Sequence, residues 1–248
     1  MLLAKCCHDL DLLIWLKSGI APRYVASFGS DFQFTPDKRP KGAGSRCMTD
    51  CPVEKDCDYS AKKLCIDHPD RWGFYVWDSL AHLEKPSVND KIRSLSEDNP
   101  YGLCAWDCGH KNVDHQSVLI SFADGSAANL NMVGGAAKAE RNIHIVGTKG
   151  EIKGVFDDSW YDLRKIDHRA ECGWSEERID LGIGGDKSGL TGSHGGGDLR
   201  LVEDFVRVLQ GEQPSISYTG IEDSMNGHLA VFLADRARET LKVQEFPV

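Results

Sequence analysis

The stretch Lys5-Cys6-Cys7-His8-Asp9-Leu10-Asp11, followed by the apolar run Leu12-Leu13-Ile14-Trp15-Leu16, decides how the chain is organised. The run is apolar almost all round, which predicts a helix buried in the domain rather than laid on its surface. Gly19 follows the last periodic residue and is well placed to end that helix. The sequence therefore predicts that a polar motif stands at the start of a core helix.

Three side chains of this helix share one face, because His8, Asp11 and Trp15 fall at positions i, i+3 and i+7. Imidazole titrates near neutral pH, and a neighbouring carboxylate can hold its ring and its tautomer. This face is therefore a candidate acid–base site that meets a substrate. The alternative is structural, with His8 and Asp9 capping the first helical turn.

The composition is that of an ordinary globular protein, with 41% hydrophobic and 27% charged residues in a chain of 248. A formal net charge of −9 without a basic stripe argues against nucleic-acid binding. We find no run of 18 apolar residues and no signal-peptide pattern, so we expect a cytoplasmic protein that does not enter the membrane. Nine cysteines, an odd number, favour reduced thiols, some of them on a metal.

The second half of the chain predicts antiparallel strands. Residues 117–122 and 127–132 flank Asp124-Gly125, and residues 142–146 and 151–156 flank Gly147-Thr148-Lys149-Gly150, so both pairs are hairpin candidates. Further strands are predicted at residues 23–34, 160–166 and 178–181, and short helices at 59–66 and 89–97. Amphipathic stripes over residues 199–209 and 225–233 predict two closing helices.

These elements together predict an α+β fold, in which one large, mostly antiparallel sheet carries the helices on one face. We expect a single substrate-binding and oligomerisation domain over residues 1–248. The opposite face of the sheet would be free to pair with a second copy, which predicts a homodimer.

Residues 35–58 form a loop rich in proline and glycine that contains Cys47-x3-Cys51-x5-Cys57. A loop that buries few apolar side chains needs something to order it, and zinc with four tetrahedral thiolate ligands would do so. The fourth ligand would come from Cys65, His68, Cys6 or Cys7, of which we select Cys7. Free thiols are the alternative, and disulfides are less expected in a reducing compartment. We assign Cys104 and Cys108 to the core and the pocket, together with His110 and His115.

Residues 182–189 and 192–197 are dense in glycine, but neither segment has the spacing of a dinucleotide fingerprint or of a Walker A loop. We expect a mobile loop beside a site. His194 lies in this loop and would line a pocket, unless it is a plain loop histidine.

In order along the chain, these motifs resemble the C-terminal domain of the Gfo/Idh/MocA oxidoreductases. The resemblance rests on residues 5–11 with Trp15-Leu16 and Gly19, on Asp114-His115-Gln116, on Gly147 to Ile152, on His194-Gly-Gly-Gly-Asp198, and on the cysteine loop from Arg46 to Ser60. It implies an α/β domain with substrate and dimer contacts, which family members join to an N-terminal nicotinamide-binding Rossmann domain. It also implies that His8, paired with Asp11, takes part in proton transfer during oxidation of a sugar or cyclitol hydroxyl.

The chain starts at the motif helix, with no room ahead of it for a βαβ unit. We therefore predict the substrate-binding and dimerisation domain of a truncated NAD(P)-dependent oxidoreductase, inactive alone and without bound NAD or NADP. His8 and Asp11 would be catalytic, and the substrate pocket would contain Lys5, Trp15, His115 and His194. The alternative is a stand-alone, non-enzymatic binding module whose cysteine loop is ordered by a metal.

Overall fold

The computed structural model describes residues 2–68, 73–181 and 197–247 and contains two compact units. The first unit comprises Met1–Gly135 and Ile221–Val248, and the second comprises Ala136–Gly220. Within the described residues the α-helices are α1 (Cys7–Leu16), α2 (Gly73–Val76), α3 (Val88–Glu97), α4 (Gly197–Leu209) and α5 (Ile221–Thr240). The strands are β1 (Pro22–Ser30), β2 (His115–Phe122), β3 (Ala127–Val133), β4 (Asn142–Gly147), β5 (Gly150–Val155), β6 (Trp160–Ile166), β7 (Trp174–Asp180) and β8 (Gln244–Glu245).

Shorter turns complete both units. Leu2–Cys6 and Lys62–Asp67 are π-helical, and the 3₁₀ turns are Pro36–Lys38, Glu54–Asp56, Asp78–Leu80, Pro100–Gly102 and Phe156–Asp158. The predicted short helices are thus present as the π-helical turn near residue 65 and as α3. None of the helices in the described part of the chain has both the length and the apolar character needed to cross a membrane.

The first unit is built on an antiparallel sheet with the strand order β3-β2-β1-β8. Strand β2 alternates buried and more exposed residues, as a strand with one covered face does. Helices α1 and α5 supply the cover, and their buried side chains meet those of the strands in one hydrophobic cluster. The most deeply buried members are Leu2, Leu10, Ile14, Val25, Val118, Ile120, Ala230, Val231 and Ala234.

Helix α1 confirms the first predicted element and ends as expected, since Gly19 takes a positive φ of +84° just beyond it. Its burial is one-sided, however. Leu10 and Ile14 are buried, whereas Leu16 is 39% exposed. The expectation of a helix buried all round is therefore corrected, because α1 lies on the sheet of the first unit with one face turned away from the core.

The second unit contains an antiparallel sheet with the strand order β4-β5-β6-β7. Its first hairpin turns between Gly147 and Gly150, which oppose each other across the turn. A β-carbon on Gly150 would lie 2.1 Å from the Arg164 carbonyl oxygen of β6, so only glycine fits there. Ion pairs link neighbouring strands of this sheet. Arg178 of β7 pairs with Asp162 of β6 at 2.7 Å, and Arg164 of β6 pairs with Glu151 of β5 at 3.1 Å.

The two hairpins that we predicted in a single sheet belong to two different sheets. The reason lies in the glycines after β3. Gly134 approaches the Asp114 carbonyl so closely that a β-carbon would lie 3.0 Å from its oxygen, and Gly135 then turns with a φ of +77°. The chain therefore leaves the first sheet before β4 begins. The α+β class itself is confirmed, and the extent of a single domain over residues 1–248 stays a prediction.

Candidate functional site

Asp11 lies where α1 packs against α5 in the first unit. Its Oδ1 atom is buried and has no hydrogen-bond partner within the described residues. Gly227 of α5 makes room for it, because a β-carbon at that position would lie 2.7 Å from the Asp11 Oδ1. Burial removes water from the carboxylate and raises the pKa of Asp11 above its ordinary value.

Two histidines act electrostatically on this carboxyl. His228 of α5 and His8 of α1 each favour the ionised form and so oppose the effect of burial, while Asp223 adds to it. The side chain of His228 is exposed, and its Nδ1 lies 2.9 Å from the Ser224 carbonyl oxygen one helical turn earlier. His8 is also exposed, so the site has a half-buried carboxyl between two histidines that solvent or a ligand can reach.

This arrangement is suited to proton exchange. A partly desolvated carboxylate stabilises a nearby imidazole electrostatically when that ring gains a proton. The exposed ring of His8 is the group that can meet a ligand. Asp11 is recessed against Gly227 and is better placed to influence the charge of the imidazoles than to touch a ligand.

Helix α1 begins one residue before His8, at Cys7. Its N-cap residue is Cys6, whose own side chain makes no capping hydrogen bond, and the capping role of His8 and Asp9 stays an alternative. Cys6 is instead a core residue, and burial, together with the charge of Asp9 and a hydrogen bond to it, raises the pKa of the Cys6 thiol to about 11. Lys5 is exposed in the preceding π-helical turn, and Trp15 is half-buried on α1.

His115 begins β2, and its Nδ1 lies 3.0 Å from the carboxylate of Asp114. That carboxylate is almost buried and also accepts the backbone N–H groups of Phe32 and Phe34 at 3.0 Å each, and that of Gln33. Burial alone would raise the pKa of Asp114. The hydrogen bonds from His115 and from the three N–H groups outweigh it and hold the pKa of Asp114 well below the usual range.

Asp114 thereby fixes the chain that leaves β1, and aromatic rings pack along that chain. Phe34 meets Tyr59 edge to face with ring centroids 5.0 Å apart, and Tyr59 meets Trp106 in the same way at 5.2 Å. His110 is tied to this cluster, because its Nε2 lies 2.7 Å from the Phe34 carbonyl oxygen. His115 contacts Phe32 with a centroid separation of 5.9 Å.

The cysteine loop is ordered by contacts within the protein. The Asp50 carboxylate accepts the backbone N–H groups of Ser45 at 3.0 Å and Arg46 at 2.7 Å. The Arg46 guanidinium in turn donates to the carbonyl oxygens of Leu95 at 2.8 Å and Asn99 at 2.9 Å. The sequence predicted that something must order residues 35–58, and hydrogen bonds of loop side chains and backbone do so in the structure, while zinc binding by the loop stays a prediction.

Cys47, Cys51 and Cys57 are neighbours in the structure. Burial raises the pKa values of Cys47 and Cys57, and electrostatic interaction with the thiols of Cys51 and Cys104 raises them further. The nine cysteines, all within the described residues, are free of disulfides. Cys7 lies on α1, packed against the core of the first unit, with its Sγ 3.9 Å from the Lys5 carbonyl oxygen. Within the described residues, no group of three or more His, Cys, Asp or Glu side chains is arranged to hold a metal ion as it stands.

Several features of the site could not be predicted from the sequence. His228 and Gly227 lie in an amphipathic stretch that predicted only a helix, and Cys104 was assigned to the core. The structure brings His228 to Asp11, and Cys104 to Cys47 and Cys57. His194 and both glycine-rich segments up to residue 196 lie outside the described residues.

Two antiparallel sheets with packed helices define the class of the fold as α+β. The model of the oxidoreductase family, C-terminal alpha/beta domain, matches residues 1–239. The chain therefore belongs to the Gfo/Idh/MocA oxidoreductase family and corresponds to its C-terminal domain. A comparison with curated proteins gave no match.

Solved structures share the fold at low sequence identity. The oxidoreductase domain protein from Kribbella flavida is 14% identical with a TM-score of 0.54, covering 98% of this chain and 50% of that chain. An NAD binding oxidoreductase from Klebsiella pneumoniae is 13% identical with a TM-score of 0.54, covering 98% and 49%. The super-repressor mutant of Gal80p from Saccharomyces cerevisiae is 10% identical with a TM-score of 0.51, covering 99% and 49%. The chain thus spans about half the length of these proteins.

Proposed function

We propose that the chain is the substrate-binding and dimerisation domain of a truncated NAD(P)-dependent oxidoreductase that acts on a sugar or cyclitol. Family membership supports the oxidoreductase part of the proposal. The coverage of only 50% and 49% of two related structures is consistent with a missing Rossmann domain. Neither glycine-rich segment has the spacing of a dinucleotide fingerprint, so we assign no residue of this chain to nicotinamide binding.

The observation that carries the proposal is the carboxyl of Asp11, whose buried Oδ1 has no hydrogen-bond partner within the described residues, near the exposed imidazole of His8. A nicotinamide, when bound, takes the hydride from the alcohol carbon. The hydroxyl proton must then pass to a base, and His8 is placed to accept it on an accessible ring. Asp11 would stabilise the imidazolium that forms, and His228 would help to keep Asp11 ionised.

The remaining pocket assignments belong to the same proposal. Lys5 lies in the π-helical turn before α1, Trp15 lies on α1, and His115 is held in a fixed orientation by Asp114. His194 would complete the pocket. A small neutral sugar suits a protein with a net charge of −9 better than a nucleic acid does. We place the protein in the cytoplasm, away from the membrane, on the expectation of reduced thiols that an odd number of nine cysteines raises.

A homodimer is the further part of this proposal. The face of the first sheet turned away from α1 and α5 exposes large apolar side chains, including Phe28 at 67%, Leu119 at 50% and Tyr24 at 49% exposure. Ala26 opposes Leu119 in the strand register, so these residues form one continuous surface across β1 and β2. Exposed apolar surface of this kind favours association with a second copy.

The experiment is to join the chain to the Rossmann domain of a family oxidoreductase and to follow nicotinamide reduction with a panel of sugars and cyclitols. Turnover with at least one of them supports the proposal, and the chain alone should give no saturable heat with NAD or NADP in calorimetry. Saturable micromolar binding of either nucleotide by the chain alone would contradict the absence of a nucleotide site.

A stand-alone, non-enzymatic binding module is the rival function. The fold shared with a protein described as a super-repressor mutant favours it. The same panel separates the two proposals. Binding of a sugar by the chain alone, without turnover by any fusion that folds and binds nucleotide, would support the module.

A further inference from the structure

Four thiols from two distant parts of the chain meet beside the short pairing of Arg46 with Leu103. In this antiparallel bridge the Cys47 N–H donates to the Gly102 carbonyl at 2.9 Å, and the Cys104 N–H donates to the Ser45 carbonyl at 2.9 Å. Cys47 therefore opposes Gly102, and Cys104 opposes Ser45. Opposed residues point to the same side of a pairing, so Cys47 and Cys104 are diagonal neighbours on one face.

The other two thiols, those of Cys51 and Cys57, are positioned by two consecutive tight turns. The Glu54 N–H donates to the Cys51 carbonyl at 3.3 Å, and the Cys57 N–H donates to the Glu54 carbonyl at 3.2 Å. The chain is thereby folded back between Cys51 and Cys57, and the Ser60 hydroxyl is hydrogen-bonded to the Glu54 carboxylate below the turn. The Cys47 thiol interacts electrostatically with those of Cys51, Cys57 and Cys104, and the Cys57 thiol with those of Cys51 and Cys104.

Backbone N–H groups and one lysine face two of these thiols. The Ala61 N–H is directed at the sulfur of Cys47, and the Tyr59 N–H at that of Cys57. The Lys63 ammonium donates to the Cys57 carbonyl at 3.2 Å and also favours the Cys57 thiolate. Burial is the larger effect and raises the pKa of both thiols, and these N–H groups and the lysine offset it in part.

We propose that Cys47, Cys51, Cys57 and Cys104 bind one zinc ion as four thiolates. This ligand set keeps three of the four cysteines expected from the sequence and replaces Cys7 by Cys104. Four sulfur donors without a carboxylate or water select a soft or borderline metal over magnesium or calcium. On binding, each thiol transfers its proton to solvent, and the resulting site carries a charge that Lys63 partly balances.

The side chains have to move to reach coordination distance, because no group in residues 2–68, 73–181 and 197–247 is arranged to hold a metal as it stands. The backbone that carries the thiols is already fixed by the bridge, the turns and the Asp50 hydrogen bonds. Rotation of the cysteine side chains between staggered rotamers is then the main change required. The site is preorganised in its backbone and completed by the metal.

The first measurement is elemental analysis of the whole chain purified without added metal or chelator. We expect about one zinc per chain, the stoichiometry of a four-thiolate site. Cys104→Ser should lose the zinc, whereas Cys7→Ser should keep it. Cys108→Ser is the matched control near Cys104, because the Cys108 side chain is exposed and its Sγ lies 3.8 Å from the Ala105 carbonyl oxygen. Loss of zinc in Cys7→Ser, or full retention in Cys104→Ser, would overturn the ligand set.

A second measurement uses the unaltered chain, so it does not depend on whether a variant folds. The protein is stripped of metal, and its thiols are alkylated with and without added zinc before peptide mapping by mass spectrometry. Zinc should protect Cys47, Cys51, Cys57 and Cys104 while leaving Cys108 and Cys172 reactive. Cobalt(II) should give the thiolate charge-transfer absorption of a tetrahedral site. Unprotected thiols and no cobalt absorption would overturn the proposal, as would iron with acid-labile sulfide in place of zinc.

Discussion

Gly227 of α5 faces Asp11 of α1 so closely that a β-carbon on the glycine would lie 2.7 Å from the Asp11 Oδ1 and 3.2 Å from the Asp11 Cα. The second distance involves backbone, so the contact cannot be relieved by turning a side chain alone. The packing of α1 against α5 around Asp11 therefore depends on the absence of a side chain at residue 227.

Gly227→Ala should destabilise the protein, although alanine is the better helix former by about 1 kcal/mol. The added methyl group meets Asp11 from the buried side, and overpacking of this kind costs roughly 1–3 kcal/mol. Denaturant unfolding should therefore show a lower midpoint than for the unaltered chain. Gly220→Ala is the control, because open space surrounds that position. An equal or higher midpoint for Gly227→Ala would contradict the tight packing of α5 against α1 at residue 227.

Asp11→Asn should change stability in a pH-dependent way. The pKa of Asp11 is raised in the folded protein, so ionisation of this carboxyl costs stability as the pH rises above about 4, the ordinary carboxyl value. Asparagine does not ionise, and the variant should gain thermal stability relative to the unaltered chain at pH 7 but not at pH of about 3. Exposed Asp98→Asn serves as the control. A destabilised Asp11→Asn protein at pH 7 would argue for an ionised carboxylate with a stabilising partner.

Asp114→Asn should act with the opposite sign. The pKa of Asp114 is lowered in the folded protein, so its contribution is complete above about pH 4 and is lost as the pH falls further. The substitution weakens three backbone hydrogen bonds to a charged acceptor and should cost roughly 1–3 kcal/mol at pH 7. In thermal melts from pH 7 down to about pH 2, the stability difference between the variant and the unaltered chain should shrink. A deficit that stays constant with pH, or one shared by exposed Asp31→Asn, would contradict this account.

Phe28→Glu tests the proposed dimer surface. Phe28 is 67% exposed on the open face of the first sheet, so a charge there should prevent pairing without disturbing the core. Light scattering at micromolar concentration should give twice the chain mass for the unaltered protein and the single mass for the variant. Val243→Glu, 62% exposed outside the strands, should remain dimeric. A monomeric unaltered chain would contradict the dimer.

Local features of the fold could be predicted because local sequence determines them. Asp124-Gly125 predicted a hairpin, and Gly125 takes the positive φ of +85° that such a turn needs. Strand alternation does not reveal which hairpins share a sheet, so the two hairpins were wrongly joined in one. The same limit applies to the site. His8 and Asp11 are linked by helical spacing, whereas His228 and Cys104 reach their partners only through tertiary contacts.

The central claim is that His8 transfers a proton during oxidation of an alcohol, and it is tested by His8→Asn in the fusion with a Rossmann domain. A group that transfers a proton stabilises the transition state more than the bound substrate. We therefore expect kcat to fall by about 10²–10⁴-fold while KM changes little. Exposed His82→Asn should leave both constants unchanged. An unaltered kcat for His8→Asn, in a fusion that turns over, would contradict the account and remove His8 from the catalytic site.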